Sequence, residues 1–348
     1  MISVSKLLCE LDAEGDGLRY DAASESSKPQ ITEEKQRRPV VVWNVTKRCN
    51  LYCSHCYAGA DTENAPGELS TAEGKRLLAD LADYGVPVVL FSGGEPLVRD
   101  DLLELVSHAD DLGIRPVLST NGTLITPEKA RRLREAGLRY AGVSVDGLPE
   151  RNDAFRGAEG AFDAAVRGIR ACLDAGLKTG LRYTITESNA EDLPGVVELL
   201  HDEGVDRFCF YHLDYGGRGA GIADADLSPA AKREAVTRVC DLTREYHERG
   251  AEIETLLVGN YADAAYLSST RVATSGRRLP NGCTTTSGAT AATRRANAWP
   301  TWTIRATSTS RSSGRDTASA TSATGRSVPS GTTRRTRCSG RCESDPTG

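Results

Sequence analysis

Trp43-Asn44-Val45-Thr46-Lys47-Arg48-Cys49-Asn50-Leu51-Tyr52-Cys53-Ser54-His55-Cys56-Tyr57 follows directly on the apolar run Val40-Val41-Val42. Its three cysteines stand at the spacing C-x3-C-x2-C. Iron–sulfur clusters are held by cysteine thiolates, and a four-iron cluster ordinarily takes four. Three at this spacing wrap one loop around three corners and leave one iron without a protein ligand. An open position is what metal catalysis needs, whereas a fully ligated cluster mainly carries electrons. Two plainer readings compete: a zinc site, or chance. Zinc would want a fourth ligand, and only His55 offers itself, inside the loop and badly placed.

Downstream, short apolar runs alternate with amphipathic segments from Pro39 to about Gly259. The patterning predicts strands at Val40–Trp43, Val86–Phe91, Pro116–Ser119, Tyr140–Val145, Thr179–Thr186 and Asp206–Leu213. Helices lie between them. Ser70-Thr71-Ala72-Glu73 is a capping box, Thr126-Pro127 and Ser228-Pro229 set caps with proline at the first helical position, and Gly137, Gly176 and Gly204 close helices. Alternation at this spacing implies parallel strands with right-handed crossovers. The unusual residues fall just after strands, at the carboxyl ends where barrel enzymes build their sites. The expected fold is therefore α/β, a partial (β/α)6 barrel open on one side. A dinucleotide-binding sheet would carry a G-x-G-x-x-G turn after its first strand; here that turn carries cysteines.

After the second strand comes Ser92-Gly93-Gly94-Glu95-Pro96, where paired glycines let backbone approach a ligand closely. Alone it reads equally as a tight turn. Ser119-Thr120-Asn121-Gly122 and Ser144-Val145-Asp146-Gly147 follow the third and fourth strands, and each is also an ordinary turn sequence. Arg182 lies on the fifth strand, and the sixth ends in Phe210-Tyr211-His212-Leu213-Asp214-Tyr215-Gly216-Gly217-Arg218-Gly219. Aromatic rings, a histidine and an arginine there suit a flat, carboxylate-bearing ligand, or simply pack into the barrel.

The three-cysteine loop with Tyr57 beside its last cysteine, followed one βα unit later by Gly93-Gly94-Glu95-Pro96, resembles the radical S-adenosylmethionine (SAM) enzymes. The resemblance implies a [4Fe–4S] cluster on Cys49, Cys53 and Cys56, with SAM on the fourth iron, cleaved reductively to a 5′-deoxyadenosyl radical. It implies SAM contacts at Tyr57, Gly93, Gly94, Glu95, Thr120, Asn121, Ser144 and Asp146. Arg182 becomes a candidate for the carboxylate of SAM or of a substrate. Met1–Leu7, Leu18-Arg19-Tyr20 and the end of the sixth strand look like the branch of siroheme-based haem pathways, a resemblance covering residues 1–270. That implies an iron-containing tetrapyrrole substrate, didecarboxysiroheme, losing two acetate side chains. His212 would then contact the iron axially or move a proton. A low-potential donor such as a ferredoxin would supply the electron. The alternatives are a peptide-modifying maturase of the same superfamily, which would usually carry a peptide-binding wing ahead of the barrel, and a non-catalytic iron–sulfur electron carrier. The second has no use for the Gly93–Pro96 turn.

No N-terminal apolar stretch is long enough for a signal peptide or a membrane span, so a cytoplasmic protein with no membrane or nucleic-acid partner is expected. Ten cysteines then read as metal ligands or buried thiols rather than disulfides. Residues 1–38 look like a polar leader, 39–260 the barrel and 261–348 a degenerate C-terminal extension. Residues 1–280 hold 33 Lys+Arg against 45 Asp+Glu, a net of −12, in the style of a halophile. Residues 281–340 differ, with 15 Thr, 10 Ser, nine Arg and one acid, Asp316. That composition cannot bury a core, so the tail is expected to be disordered or misread. A reading-frame shift entering near residues 270–280 accounts for it, since the neighbouring frame admits an uninterrupted acidic and apolar string resembling the branch's C-terminal extension. Relatives carry cysteines for an auxiliary cluster there; Cys283, Cys338 and Cys342 are not assigned to it.

Overall fold

A computed structural model describes residues 1–11, 38–62 and 67–269, together with the backbone of two short strands at 301–306 and 320–322. The six expected strands are present as β2 (Val40–Thr46), β3 (Val88–Gly93), β4 (Arg115–Thr120), β5 (Tyr140–Ser144), β6 (Thr179–Ile185) and β7 (Arg207–His212). Each pairs in parallel with the next. A further parallel strand, β8 (Glu254–Val258), follows β7; its Leu256-Leu257-Val258 run marks it in the sequence.

The helices follow their strands: α2 (Thr71–Asp83), α3 (Leu102–Asp111), α4 (Pro127–Glu135), α5 (Pro149–Arg156), α6 (Ala161–Asp174), α7 (Leu193–Asp202), α8 (Pro229–Glu248) and α9 (Ala262–Ser269). The sequence caps act as read. Ser70 accepts from Glu73 N while the Glu73 carboxylate accepts from Ser70 N, and Thr126 accepts from Lys129 N at 3.2 Å. Helix α5 was not expected; Pro149 at its first turn was the available signal.

Alternate strand residues face the helices. Trp43, Phe91, Leu118 and Ala141 enter one buried cluster with α2, α3 and α4. Val143, Tyr183, Phe208 and Phe210 enter another with α6, α7 and α8. The opposite strand face, carrying Asn44, Ser92, Ser144, Arg182, Cys209 and Tyr211, is left to line the lumen of the curled half-barrel. Cys172 and Cys240 are fully buried on helix faces, as their spacing implies.

The polar leader expected over residues 1–38 is structured at its start. Ile2–Ser3 forms β1, antiparallel to β8, and Val4–Cys9 forms α1, capped by Ser3, with Val4 fully buried. The driving force is tertiary: Val4 joins the cluster of β6, β7 and α8, a gain no local periodicity announces. In the expected tail, backbone at Thr301–Ala306 forms β9, parallel to β2, and Ala320–Ser322 forms β10 on β9. Of the expected extension over 261–348, α9 packs on the barrel through Leu267, and the remainder beyond these elements, including Cys283, Cys338, Cys342 and the frame-shift junction, lies outside the described residues. No helix among the described residues is long and apolar enough to cross a membrane.

Candidate active site

The cysteine loop leaves β2 and returns beside itself. Cys49 N donates to Asp61 O at 2.8 Å and Asp61 N to Lys47 O at 3.1 Å, closing the excursion at its neck. Cys49, Cys53 and Cys56 are free thiols packed on one apolar patch with Leu51, Ala158 and Ala161. Leu51 N donates to Cys49 Sγ and Ala60 N to Cys56 Sγ, each at 3.4 Å, and Arg156 Nη1 donates to Cys53 Sγ at 3.7 Å. Burial pushes the Cys49 thiol up to about 11 and raises Cys53 as well, so metal must displace the protons it finds there. Three thiols with N–H donors to sulfur on one apolar bed are a donor set that suits the corners of an iron–sulfur cluster.

The glycine pair meets this loop from β3. Gly94 N donates to Thr46 O and Glu95 N to Arg48 O, both at 2.8 Å. A Cβ on Gly94 would press into the Arg48 carbonyl, and one on Gly93, whose φ is +140°, into that of Thr46. The glycines thus seat the strand end against the three residues that precede Cys49. Glu95 is fully buried, and its carboxylate accepts from Asn121 N (2.7 Å), Thr120 Oγ1 (2.8 Å) and Leu97 N (3.1 Å). Burial raises its pKa, with those donors pulling it back. Glu95 therefore locks the β4 turn to the β3 turn.

Asn121 Nδ2 reaches Asn50 Oδ1 at 2.9 Å and Cys49 Sγ at 3.9 Å, so the β4 turn touches the cluster loop. Tyr57 OH donates to Asn44 Oδ1 at 3.0 Å and lies 3.4 Å from Ser92 Oγ, bridging the loop to the lumen face of β2 and β3. Ser144 ends β5 directly opposite Arg182 of β6. Asp146 is sealed: Thr184 N donates to it at 2.6 Å, and Arg156 Nη2 pairs with its Oδ2. His55 Nε2 stands 3.6 Å from the same oxygen, and its ring stacks on Phe155 at 4.2 Å. Burial lowers His55 to about 4, so it is neutral near pH 7.

Two placements differ from expectation. Arg218 does not wait for a flat ligand at the rim. Its Nε donates to Cys53 O at 2.8 Å, Nη1 to Ala60 O, and its backbone N to Cys56 O at 2.9 Å. Gly217 at φ +53° allows this clamp, since a Cβ there would strike the Cys56 carbonyl. His212 alternates with Phe208 and Phe210, which places it on the helix side. There its Nε2 lies 3.0 Å from Asp263 Oδ2 of α9. Arg156 was missed altogether. An arginine on an eight-residue helix reads as solvated, and nothing local announces its burial.

A curled, parallel βα half-barrel with a three-cysteine loop laid over its carboxyl ends, backed by a glycine-paired strand end, defines the class that holds an iron–sulfur cluster beside SAM. The chain belongs to the radical SAM superfamily, whose family model matches residues 43–208. It is 50% identical over 268 residues to Fe-coproporphyrin III synthase of Methanosarcina barkeri, covering 77% of this chain and 67% of that one. It is 45% identical to pre-heme d1 synthase of Dinoroseobacter shibae over 66% of this chain and 57% of that one. The chain thus spans between about half and two thirds of the length of these relatives. In three dimensions it is similar to Streptococcus suis SuiB bound to S-adenosylmethionine, with a TM-score of 0.56 at 20% identity, covering 66% of this chain and 52% of that one. That likeness shows the fold.

Proposed function

We propose that this chain is a radical SAM enzyme of siroheme-dependent haem synthesis, acting on didecarboxysiroheme to remove its two acetate side chains. The observation that carries the radical SAM half is the loop itself: three free thiols on one apolar bed, seated against the Gly93–Gly94 strand end. The tetrapyrrole half is supported by relatives named for haem-pathway reactions.

Cys49, Cys53 and Cys56 would hold a [4Fe–4S] cluster, and Tyr57, Gly93, Gly94, Asn121 and Ser144 would contact SAM. Bound there, the two cofactors supply one-electron reductive cleavage of SAM and hydrogen-atom abstraction from substrate. The protein's part is positioning. Glu95 fixes the β4 turn and so the Asn121 amide beside Cys49. Tyr57 bridges the loop to Asn44 and Ser92 on the lumen face, while Arg218 ties down the Cys53, Cys56 and Ala60 carbonyls of the loop. A small low-potential donor such as a ferredoxin would deliver the electron.

The test is anaerobic. After reconstitution with iron and sulfide, SAM and dithionite are added and 5′-deoxyadenosine is measured with and without didecarboxysiroheme. Cleavage lost in Cys49→Ser, Cys53→Ser and Cys56→Ser and stimulated by the tetrapyrrole is expected. Cleavage indifferent to the tetrapyrrole would remove the substrate from the reading; an intact cluster that cleaves no SAM would leave an electron carrier.

A further inference from the structure

Among the described residues, one cation on the lumen face has no carboxylate partner. Arg182 lies on the lumen face of β6, and its guanidinium carbon sits 4.6 Å from the centre of the Tyr211 ring on β7. Tyr211, Cys209, Tyr140 and Tyr57 surround it, and among the described residues it makes no ion pair. Burial pushes the Tyr211 phenol up to about 12 and Tyr140 further, so neither supplies negative charge. Three other arginines of the barrel are paired with carboxylates: Arg99 with Asp101, Arg156 with Asp146, and Arg207 with Glu254 at 3.5 Å.

Space is kept around Arg182. A Cβ on Gly142 would stand 2.9 Å from its Cδ, and one on Gly180 would strike the Tyr140 hydroxyl. Its strand neighbour across the ladder is Ser144, and Tyr140, over which Arg207 lies at 4.6 Å, stands further down the same lumen face. A guanidinium held partly out of bulk water gains from a counter-ion, and its planar fork matches a carboxylate. The Tyr211 ring holds the guanidinium by cation–π attraction without taking any of its N–H donors.

We propose that Arg182, seated on Tyr211, takes a side-chain carboxylate of the tetrapyrrole and so fixes the orientation in which the substrate enters the lumen. This rests on the tetrapyrrole reading above. The competing source of the same chemistry is the carboxylate of SAM.

The experiment measures two affinities on anaerobically reconstituted protein: didecarboxysiroheme by absorbance titration and SAM by equilibrium dialysis, for wild type, Arg182→Gln and Arg182→Lys. The methyl ester of the tetrapyrrole serves as a probe without carboxylates. Arg182→Gln is expected to weaken tetrapyrrole binding about tenfold or more, as loss of a charge-assisted pair should. Arg182→Lys should fall between, the ester should bind wild type and Arg182→Gln alike, and SAM affinity should not change. Tetrapyrrole binding unaltered in Arg182→Gln would overturn the proposal. Loss of SAM binding with tetrapyrrole affinity retained would also overturn it, in favour of the SAM carboxylate. Failure of the wild type to bind the tetrapyrrole would instead overturn the substrate reading, and the anchor with it.

Discussion

Arg156 Nη1 donates to Cys53 Sγ at 3.7 Å while the other end of the same guanidinium is ion-paired with the buried carboxylate of Asp146. Positive charge and an N–H donor at a cluster sulfur favour the reduced state, since cluster potentials follow net charge and hydrogen bonds to sulfur. In the double variant Arg156→Gln/Asp146→Asn, which removes both charges together, the cluster potential should fall by about 60–130 mV, the equivalent of one charge-assisted hydrogen bond. Potentiometric titration followed by electron paramagnetic resonance checks this. An unchanged potential would mean that Arg156 serves Asp146 alone. Arg156→Gln by itself should also cost about 3–5 kcal/mol of stability, because Asp146 is left buried and unpaired.

Glu95 should behave as a strut. Glu95→Ala leaves the Asn121 and Leu97 amides and the Thr120 hydroxyl without their acceptor in a fully buried place. The expected cost is about 3 kcal/mol, read by denaturant unfolding. Iron content after reconstitution should fall with it, because the displaced Asn121 amide lies beside Cys49.

Acid should loosen the neck of the cysteine loop. Arg99 pairs with Asp101 and donates from Nη1 to Val45 O (2.8 Å) and Leu69 O (3.1 Å). The Arg99 hydrogen bonds hold the Asp101 carboxyl below its ordinary value of 3.8. A depressed carboxylate contributes stability that is present above the unfolded value and lost as pH falls through the folded one. Melting temperature should therefore drop as pH falls below 3.8, and Asp101→Asn should lower stability near neutrality while flattening that acid limb.

His212→Asn should separate the outer face of the barrel from its lumen. His212 and Asp263 are paired away from the lumen, and Asp263 is buried. The expected result is a lower melting temperature with the tetrapyrrole affinity of the wild type, because breaking a buried ion pair costs stability and His212 touches no lumen group. A large loss of affinity with normal stability would return His212 to the substrate.

Much of the barrel was legible because its signals are local. Strand runs, the Ser70 capping box and the proline-led helices are written in neighbouring residues, and C-x3-C-x2-C needs only its own spacing. What was illegible depends on partners distant in the chain. Val4 gains its burial from strands more than 170 positions away, Arg156 from Cys53 and Asp146, and Arg218 from carbonyls of the cysteine loop. The face taken by His212 was fixed by its alternation with Phe208 and Phe210, but its partner on α9 was not visible from the strand alone.

The pairing of β1 with β8 also sets a timetable for synthesis. Thr255 N donates to Ser5 Oγ at 3.2 Å, joining positions 250 residues apart. At ribosomal rates of about 5–20 residues per second, β1 leaves the exit tunnel roughly 10–50 s before its partner exists. Throughout that interval each newly added strand of the growing sheet is in turn an uncapped edge, open to pairing with a neighbouring nascent chain. Crowded polysomes should therefore favour aggregation of this protein, and slower initiation on its messenger should raise the yield of native chains.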